Sequence, residues 1–168
     1  MSDILLSLEI EDFGTLKVEL YPSIAPNTVA NFMHYVNNKF YDGLVFHRII
    51  KGFMIQGGAN PKAKELPIKG EFASNGFKND LKHIKGVLSM ARTMDRNSAT
   101  SQFFIMHHDA PHLDGQYAAF GKVIEGSDII DKVASVKTDS YDQPLKDVKI
   151  KSITVLQNEA SLNLVQYV

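Results

Sequence analysis

The chain contains no cysteine and no tryptophan. Without cysteine, a disulfide scaffold, thiolate catalysis and cysteine-based zinc sites are all excluded. Neither sign of charge is in excess: 18 lysines and arginines stand against 19 acidic side chains, a formal net charge of −1. A nucleic-acid or anionic-membrane surface normally needs a positive surplus, so neither is expected as a partner. No apolar run approaches the roughly 20 residues of a membrane-spanning helix. The opening Met1-Ser2-Asp3-Ile4 shows no basic segment followed by an apolar one. No secretory signal is read there, and a cytoplasmic location is the expectation.

What remains is an ordinary soluble composition over 168 residues, 44% apolar and 22% charged. That length suits one domain able to bury a core without metals or disulfides. No internal repeat, low-complexity segment or interdomain linker is visible.

Ile4, Leu6 and Leu8 alternate with other residues, Asp12-Phe13-Gly14 supplies a turn, and Leu16, Val18 and Leu20 alternate with Lys17 and Glu19. This predicts a β-hairpin with one buried face. Prolines at 22 and 26 end the strand pattern, and Val29, Phe32, Met33, Val36 and Phe40 then fall at helical spacing. Pro26 fits the first turn of such a helix, where its missing N–H costs nothing. Short apolar runs follow, separated by glycine: Leu44-Val45-Phe46, Phe53-Met54-Ile55, Val87 to Met90, Phe103 to Met106 and Ala118-Ala119-Phe120. Such runs suggest a barrel or sandwich. Ser127 is read as the N-cap of a second short helix through Ile129, Ile130 and Val133. A last strand is expected over residues 148–156, with Val148, Ile150, Ser152, Thr154 and Leu156 on one face. Residues 61–85, with two prolines, two glycines, six lysines and few apolar residues, make a loop too long for a simple turn, a length usually tied to function.

The densest chemical cluster is Phe46-His47-Arg48-Ile49-Ile50-Lys51-Gly52-Phe53-Met54-Ile55-Gln56-Gly57-Gly58. Arg48 and Ile50 would share one strand face, and Gly52 would let the chain bend so that Phe53 and Gln56 turn towards the same hollow. Taken alone, an arginine beside apolar residues is more often a surface or ion-paired group. A second cluster changes the balance: Gly86-Val87-Leu88-Ser89-Met90-Ala91-Arg92, then Ser101-Gln102-Phe103-Phe104-Ile105, Leu113-Asp114-Gly115 and Phe120-Gly121-Lys122-Val123. In this order and spacing the runs strongly resemble the cyclophilin family, and the likeness extends from the first hairpin to the strand near Leu156.

That resemblance implies a mainly β fold: a closed eight-stranded antiparallel β-barrel capped by two α-helices, over residues 1–157. It leaves 158–168 as a tail of unassigned role. It implies a peptidyl-prolyl cis/trans isomerase that assists protein folding and needs no cofactor or metal. Arg48 matches the family's catalytic arginine, acting with Phe53, Gln56 and Phe104. Met54 and Leu113 complete the wall of the proline pocket that Phe53 and Phe104 begin. Ala91 and Arg92 align the peptide, Gln102 lies close by, and His47 borders the arginine. His112 and Tyr117 stand where the better-studied members have tryptophan and histidine, and Arg92 replaces an asparagine. Proline-containing polypeptides are the expected partners, a monomer is the expected state, and the missing indole implies weak affinity for cyclosporin.

Other readings are weaker. His107-His108 and His112 match no common zinc spacing and read as solvent-facing loop histidines. Gly57-Gly58 lacks the pattern of a phosphate loop. Glu9 and Glu11 read as a solvated strand face. The alternative of a different class is a non-catalytic module that binds proline-containing segments as an adaptor or chaperone. The presence of Arg48, Phe53, Gln56 and Phe104 together favours catalysis.

Overall fold

A computed structural model describes residues 3–168. Residues 1 and 2, part of the stretch read for a secretory signal, lie outside the described residues. The alternating opening forms the predicted hairpin, β1 (Ile4–Ile10) and β2 (Gly14–Leu20), in the register Ile4↔Leu20 to Ile10↔Gly14. Its inward residues are all but fully buried, each stabilising the fold by about 1.5–3 kcal/mol through lost water contact. Gly14 has φ +133°, and a Cβ there would lie 2.7 Å from the end of the Ile129 side chain, so any other residue would be strained at this turn.

Helix α1 (Pro26–Asn37) starts on Pro26 and buries Val29, Phe32, Met33 and Val36, as the stripe predicts. Phe40 lies beyond its end and packs on Tyr35, ring centroids 4.5 Å apart. The following strands are β3 (Arg48–Ile50), β4 (Met54–Gly57), β5 (Val87–Met90), β6 (Phe103–Met106) and β7 (Ala119–Glu125). Helix α2 (Ser127–Ala134) and β8 (Ile150–Asn158) complete the chain's regular elements. Among the described residues no helix is long and apolar enough to cross a membrane.

All eight strands form one antiparallel sheet in the order β3-β4-β6-β5-β7-β2-β1-β8. The sheet curls with the two helices as a half-barrel. The expected closure is not a ladder: β3 and β8 are the sheet's two ends, joined near their margin by an isolated bridge between Val45 and Lys149. That bridge also corrects the strand expected at Leu44-Val45-Phe46. These residues bond across to the approach of β8, through Phe46 N–H to Val148 O and Ile150 N–H to Leu44 O, and the regular strand begins only at Arg48.

Three further expectations change. Ser127 is not the cap of α2 but its first residue; the cap position is Gly126, at φ 98°, where a Cβ would come within 2.9 Å of Thr15 O. Strand β8 does not alternate evenly. Register shifts beside Leu5/Leu6 and Glu9/Ile10 break the period, so Ile150 and Ile153 are buried while Thr154 and Leu156 face solvent. Residues 61–85 are not a free loop. Ile68 bridges to Ala99, a 3₁₀ turn covers Ala73–Asn75, and Glu71, Phe72, Asn79 and His83 are buried. The tail is also anchored. Leu162 and Val165 pack on the core, and Gln166 exchanges hydrogen bonds with Asn27 at 2.9 and 2.8 Å.

Candidate functional site

The two faces of the sheet carry different chemistry. On the inner face, Ile49, Ile55, Ile105 and Leu88 lie opposite one another across β3, β4, β6 and β5 and join the main core with α1. One residue along each strand, the outer face carries the row Arg48↔Gln56↔Phe104↔Ser89. A period-two pleat thus converts Arg48-Ile49 and Gln56 beside Ile55 into one row facing the main core and one outer row, open at Arg48 and covered at Phe104 and Ser89. Beneath the outer row lies a second apolar cluster that includes Met54, Val87, Phe104, Met106 and Leu113.

A hollow of about 130 Å³ opens on this outer face, lined by Arg48, Phe53, Met54, Gln56, Ala91, Arg92, Phe104, Leu113 and Tyr117. Met54, Phe104 and Leu113 are buried and form its floor, while Arg48 is exposed at its rim. Gly52, at φ 82°, turns the chain between β3 and β4, and Phe53 N–H bonds back to Ile50 O. The bend that the sequence suggested therefore exists and brings Phe53 over the hollow. Every residue lining the hollow belongs to the set named from the sequence.

Three members of that set lie outside it. Gln102 accepts a 3.1 Å bond from Gln56 Nε2 and lines an adjoining hollow of about 180 Å³. His112 is exposed and stacks beside Phe53, with centroids 5.8 Å apart and planes at 29°. His47 adjoins Arg48, half-buried, and its Nδ1 has no hydrogen-bond partner. Burial first, and then the Arg48 charge, hold its pKa below the ordinary histidine value.

Sequence reasoning missed what stands behind the hollow. The Arg92 guanidinium lies between two rings, 4.5 Å from the Tyr117 centroid and 5.0 Å from that of Phe72. Buried His83 lies against Phe104, centroids 6.1 Å apart and planes at 21°. Its Nδ1 is 3.0 Å from Asp114 Oδ1 and its Nε2 is 2.9 Å from Ser89 Oγ. Phe72 and His83 belong to the 61–85 segment, which has no periodicity; its length was the one available signal. The reading of the loop histidines as solvent-facing fails at His107. That ring accepts from Gly52 N–H at 2.8 Å and meets Asp131 Oδ1 at 3.0 Å, fixing the turn before Phe53. Asp131 also receives Lys85 at 2.6 Å, and that bond is the largest cause of its lowered pKa. Among the described residues no group of His, Asp or Glu is placed to hold a metal ion.

The hollow offers a permanent cation, an amide and an apolar floor, and none of its lining residues is a nucleophile paired with a base; the His83–Ser89 pair is buried behind it. The comparisons give this arrangement a family. The family "cyclophilin type peptidyl-prolyl cis-trans isomerase/CLD" matches residues 5–155. A peptidyl-prolyl cis-trans isomerase of Acinetobacter baylyi is 46% identical over 158 residues, covering 86% of this chain and 81% of that protein. Peptidyl-prolyl cis-trans isomerase B of Escherichia coli is 40% identical over 159 residues, covering 84% and 94%. The crystal structure of a Cryptosporidium parvum cyclophilin-type isomerase in the presence of the dipeptide Ala-Pro superposes with a TM-score of 0.82 at 31% identity, over 92% of this chain and 99% of that one. The chain belongs to the cyclophilin-type peptidyl-prolyl cis-trans isomerase family, and by that membership it is an isomerase of X–Pro peptide bonds.

Proposed function

We propose that the X–Pro bond is turned in the hollow between Arg48 and Phe104, with the proline ring seated on Met54, Phe104 and Leu113. The observation that carries this reading is the cross-strand row Arg48↔Gln56↔Phe104, which sets a cation, an amide and an apolar surface side by side. Rotation about the bond meets a barrier of roughly 18–20 kcal/mol from amide resonance. No bond breaks and no proton has to move, so the site must bind the twisted amide better than either planar form. Twisting returns a lone pair to the proline nitrogen. A guanidinium, always charged and rich in donors, hydrogen-bonds that nitrogen and weakens the resonance. The apolar floor excludes water and strengthens that interaction. Gln56 holds the acyl side, with its amide steadied by Gln102 at 3.1 Å.

We read the protein's setting as the cytoplasm and its role as assistance to folding polypeptides, in keeping with the near-neutral composition. The test is an isomerase assay on X-Pro tetrapeptides with varied X. Acceleration over the uncatalysed rate that is lost when Arg48 is replaced supports the reading. Tight peptide binding without acceleration assigns the hollow to a non-catalytic adaptor.

A further inference from the structure

The chain has three arginines, Arg48, Arg92 and Arg96, and all three face one side of the molecule. Arg48 and Arg92 line the hollow, while Arg92 and Arg96 line a wider groove of about 780 Å³ that adjoins it past His112, Leu113 and Tyr117. No carboxylate lines either space. Two acids near the groove in sequence, Asp95 and Asp114, do not line it; Asp95 Oδ1 accepts from Asn97 N–H at 2.8 Å, and Asp114 Oδ1 accepts from His83 N–H. Among the described residues, the ion pairs use lysine and histidine and none uses arginine. A chain of net charge −1 thus concentrates unneutralised guanidinium groups along one groove.

Arg92 is also held in place. Its Nε and one terminal nitrogen donate to Gln116 O at 3.2 and 2.7 Å, and the other terminal nitrogen donates to Thr93 O at 2.9 Å. A guanidinium carries five N–H groups, so donors remain, and the rings of Phe72 and Tyr117 fix its plane. A cation ordered before its partner arrives loses little entropy on pairing.

We propose that the Arg92–Arg96 groove receives an acidic side chain of the same polypeptide whose proline occupies the hollow, so that the preferred substrates are X–Pro segments flanked by aspartate or glutamate. This rests on the reading that the hollow holds the proline. The carboxylate meets Arg96 at the open end and the free donors of Arg92 at the inner end. Because the groove is open to water, the gain is modest and sensitive to salt.

The test compares matched peptides that differ only in glutamate or glutamine, placed in turn at each position flanking one X–Pro bond. At low ionic strength, kcat/KM for the glutamate peptide exceeds that for its glutamine twin by about fivefold at one or more positions, the size expected of an exposed charge pair. The ratio falls towards one at about 0.5 M salt. Arg96→Glu inverts the ratio; Arg96 is exposed and in no ion pair among the described residues, and a thermal melt confirms that the variant is folded. If neither peptide is turned over, the isomerase reading of the hollow fails. If both are turned over with a ratio of one at every position, the isomerase reading stands and the acidic preference is overturned. A preference that survives Arg96→Glu overturns the assignment to this groove. Inhibition by a short single-stranded oligonucleotide at micromolar concentration would assign the groove to nucleic acid and overturn the proposal as well.

Discussion

The Glu71 carboxylate accepts hydrogen bonds from both the backbone N–H and the hydroxyl of Thr28, each at 2.7 Å, across 43 residues of sequence. Its other oxygen receives Asn27 N–H at 3.3 Å. Helix α1 has no side-chain cap of its own, since Ala25 occupies the cap position. Glu71 therefore satisfies the first-turn donors from a distance and sets a negative charge at the positive end of the helix. It is buried, so its removal leaves those donors without water or partner. Glu71→Ala should cost about 2–3 kcal/mol in urea unfolding, and Glu71→Gln, which keeps one acceptor, should cost less. A loss within error for the alanine variant would show that solvent replaces the cap.

Glu71 also marks the limit of what the sequence discloses. The hairpin and the α1 stripe were legible because one face of each is buried and the period shows it, whereas β5 and β6, buried throughout, were legible as short apolar runs. Arg48 and Gln56 stood out as polar residues interleaved with large apolar ones, but Arg48 alone read as a surface group, and the family likeness supplied the roles of both and of Phe104. The strand misplaced at Leu44 to Phe46, the shifted register of β8 and the buried His83 all depend on contacts with distant segments. No local pattern records that Val45 will meet Lys149, or that a polar-looking loop will fold inward over Phe104.

Buried His83 should make stability depend on pH. Burial, the largest cause, lowers its pKa from 6.5, while the bond to Asp114 works in the opposite direction. The unfolded chain therefore takes up the proton first. Stability is full above 6.5 and falls as pH drops towards the folded-state value. One such group contributes at most about 1.4 kcal/mol per pH unit. His47 is lowered as well and acts in the same direction. The urea midpoint should fall between about pH 7.5 and pH 5.5, and His83→Gln should flatten that fall while lowering the midpoint at the upper end. A wild-type midpoint that does not move across this window would mean that His83 takes up a proton in the fold.

Arg48 is exposed and has no ion pair among the described residues, so its replacement should spare the fold. If it stabilises the twisted amide, Arg48→Ala lowers kcat/KM by about two to three orders of magnitude, roughly 3–4 kcal/mol. Arg48→Lys restores little, because an ammonium lacks the planar fork. Turnover by the alanine variant near that of the unmodified protein would remove Arg48 from the mechanism.

Rotation without proton transfer predicts a flat profile: kcat/KM should vary little between about pH 6 and pH 8. His47 stands beside Arg48, and burial and the Arg48 charge lower its pKa, which favours the neutral ring over the upper part of that range. A steep bell-shaped profile would require a general acid or base and would sink the account given for Arg48.

His112 sets the last expectation. The chain has no tryptophan, and His112 stands where the resemblance places an indole that helps hold the cyclic peptide cyclosporin. The imidazole is exposed and lies beside Phe53 at 5.8 Å, outside the residues that line the hollow. Compared with an indole it is smaller and more strongly hydrated, so it gives up much of the apolar contact at the rim. Catalysis centred on Arg48 and Phe104 draws little on that contact, whereas a large cyclic ligand covers the rim and depends on it. The unmodified protein should therefore be an active isomerase with weak cyclosporin sensitivity. His112→Trp should tighten inhibition at least about tenfold, roughly 1.4 kcal/mol, with the new ring packing on Phe53. Titrating both proteins with the inhibitor in one isomerase assay decides the matter. Nanomolar inhibition of the unmodified protein, or no gain from the tryptophan, would show that the rim at His112 does not control the ligand.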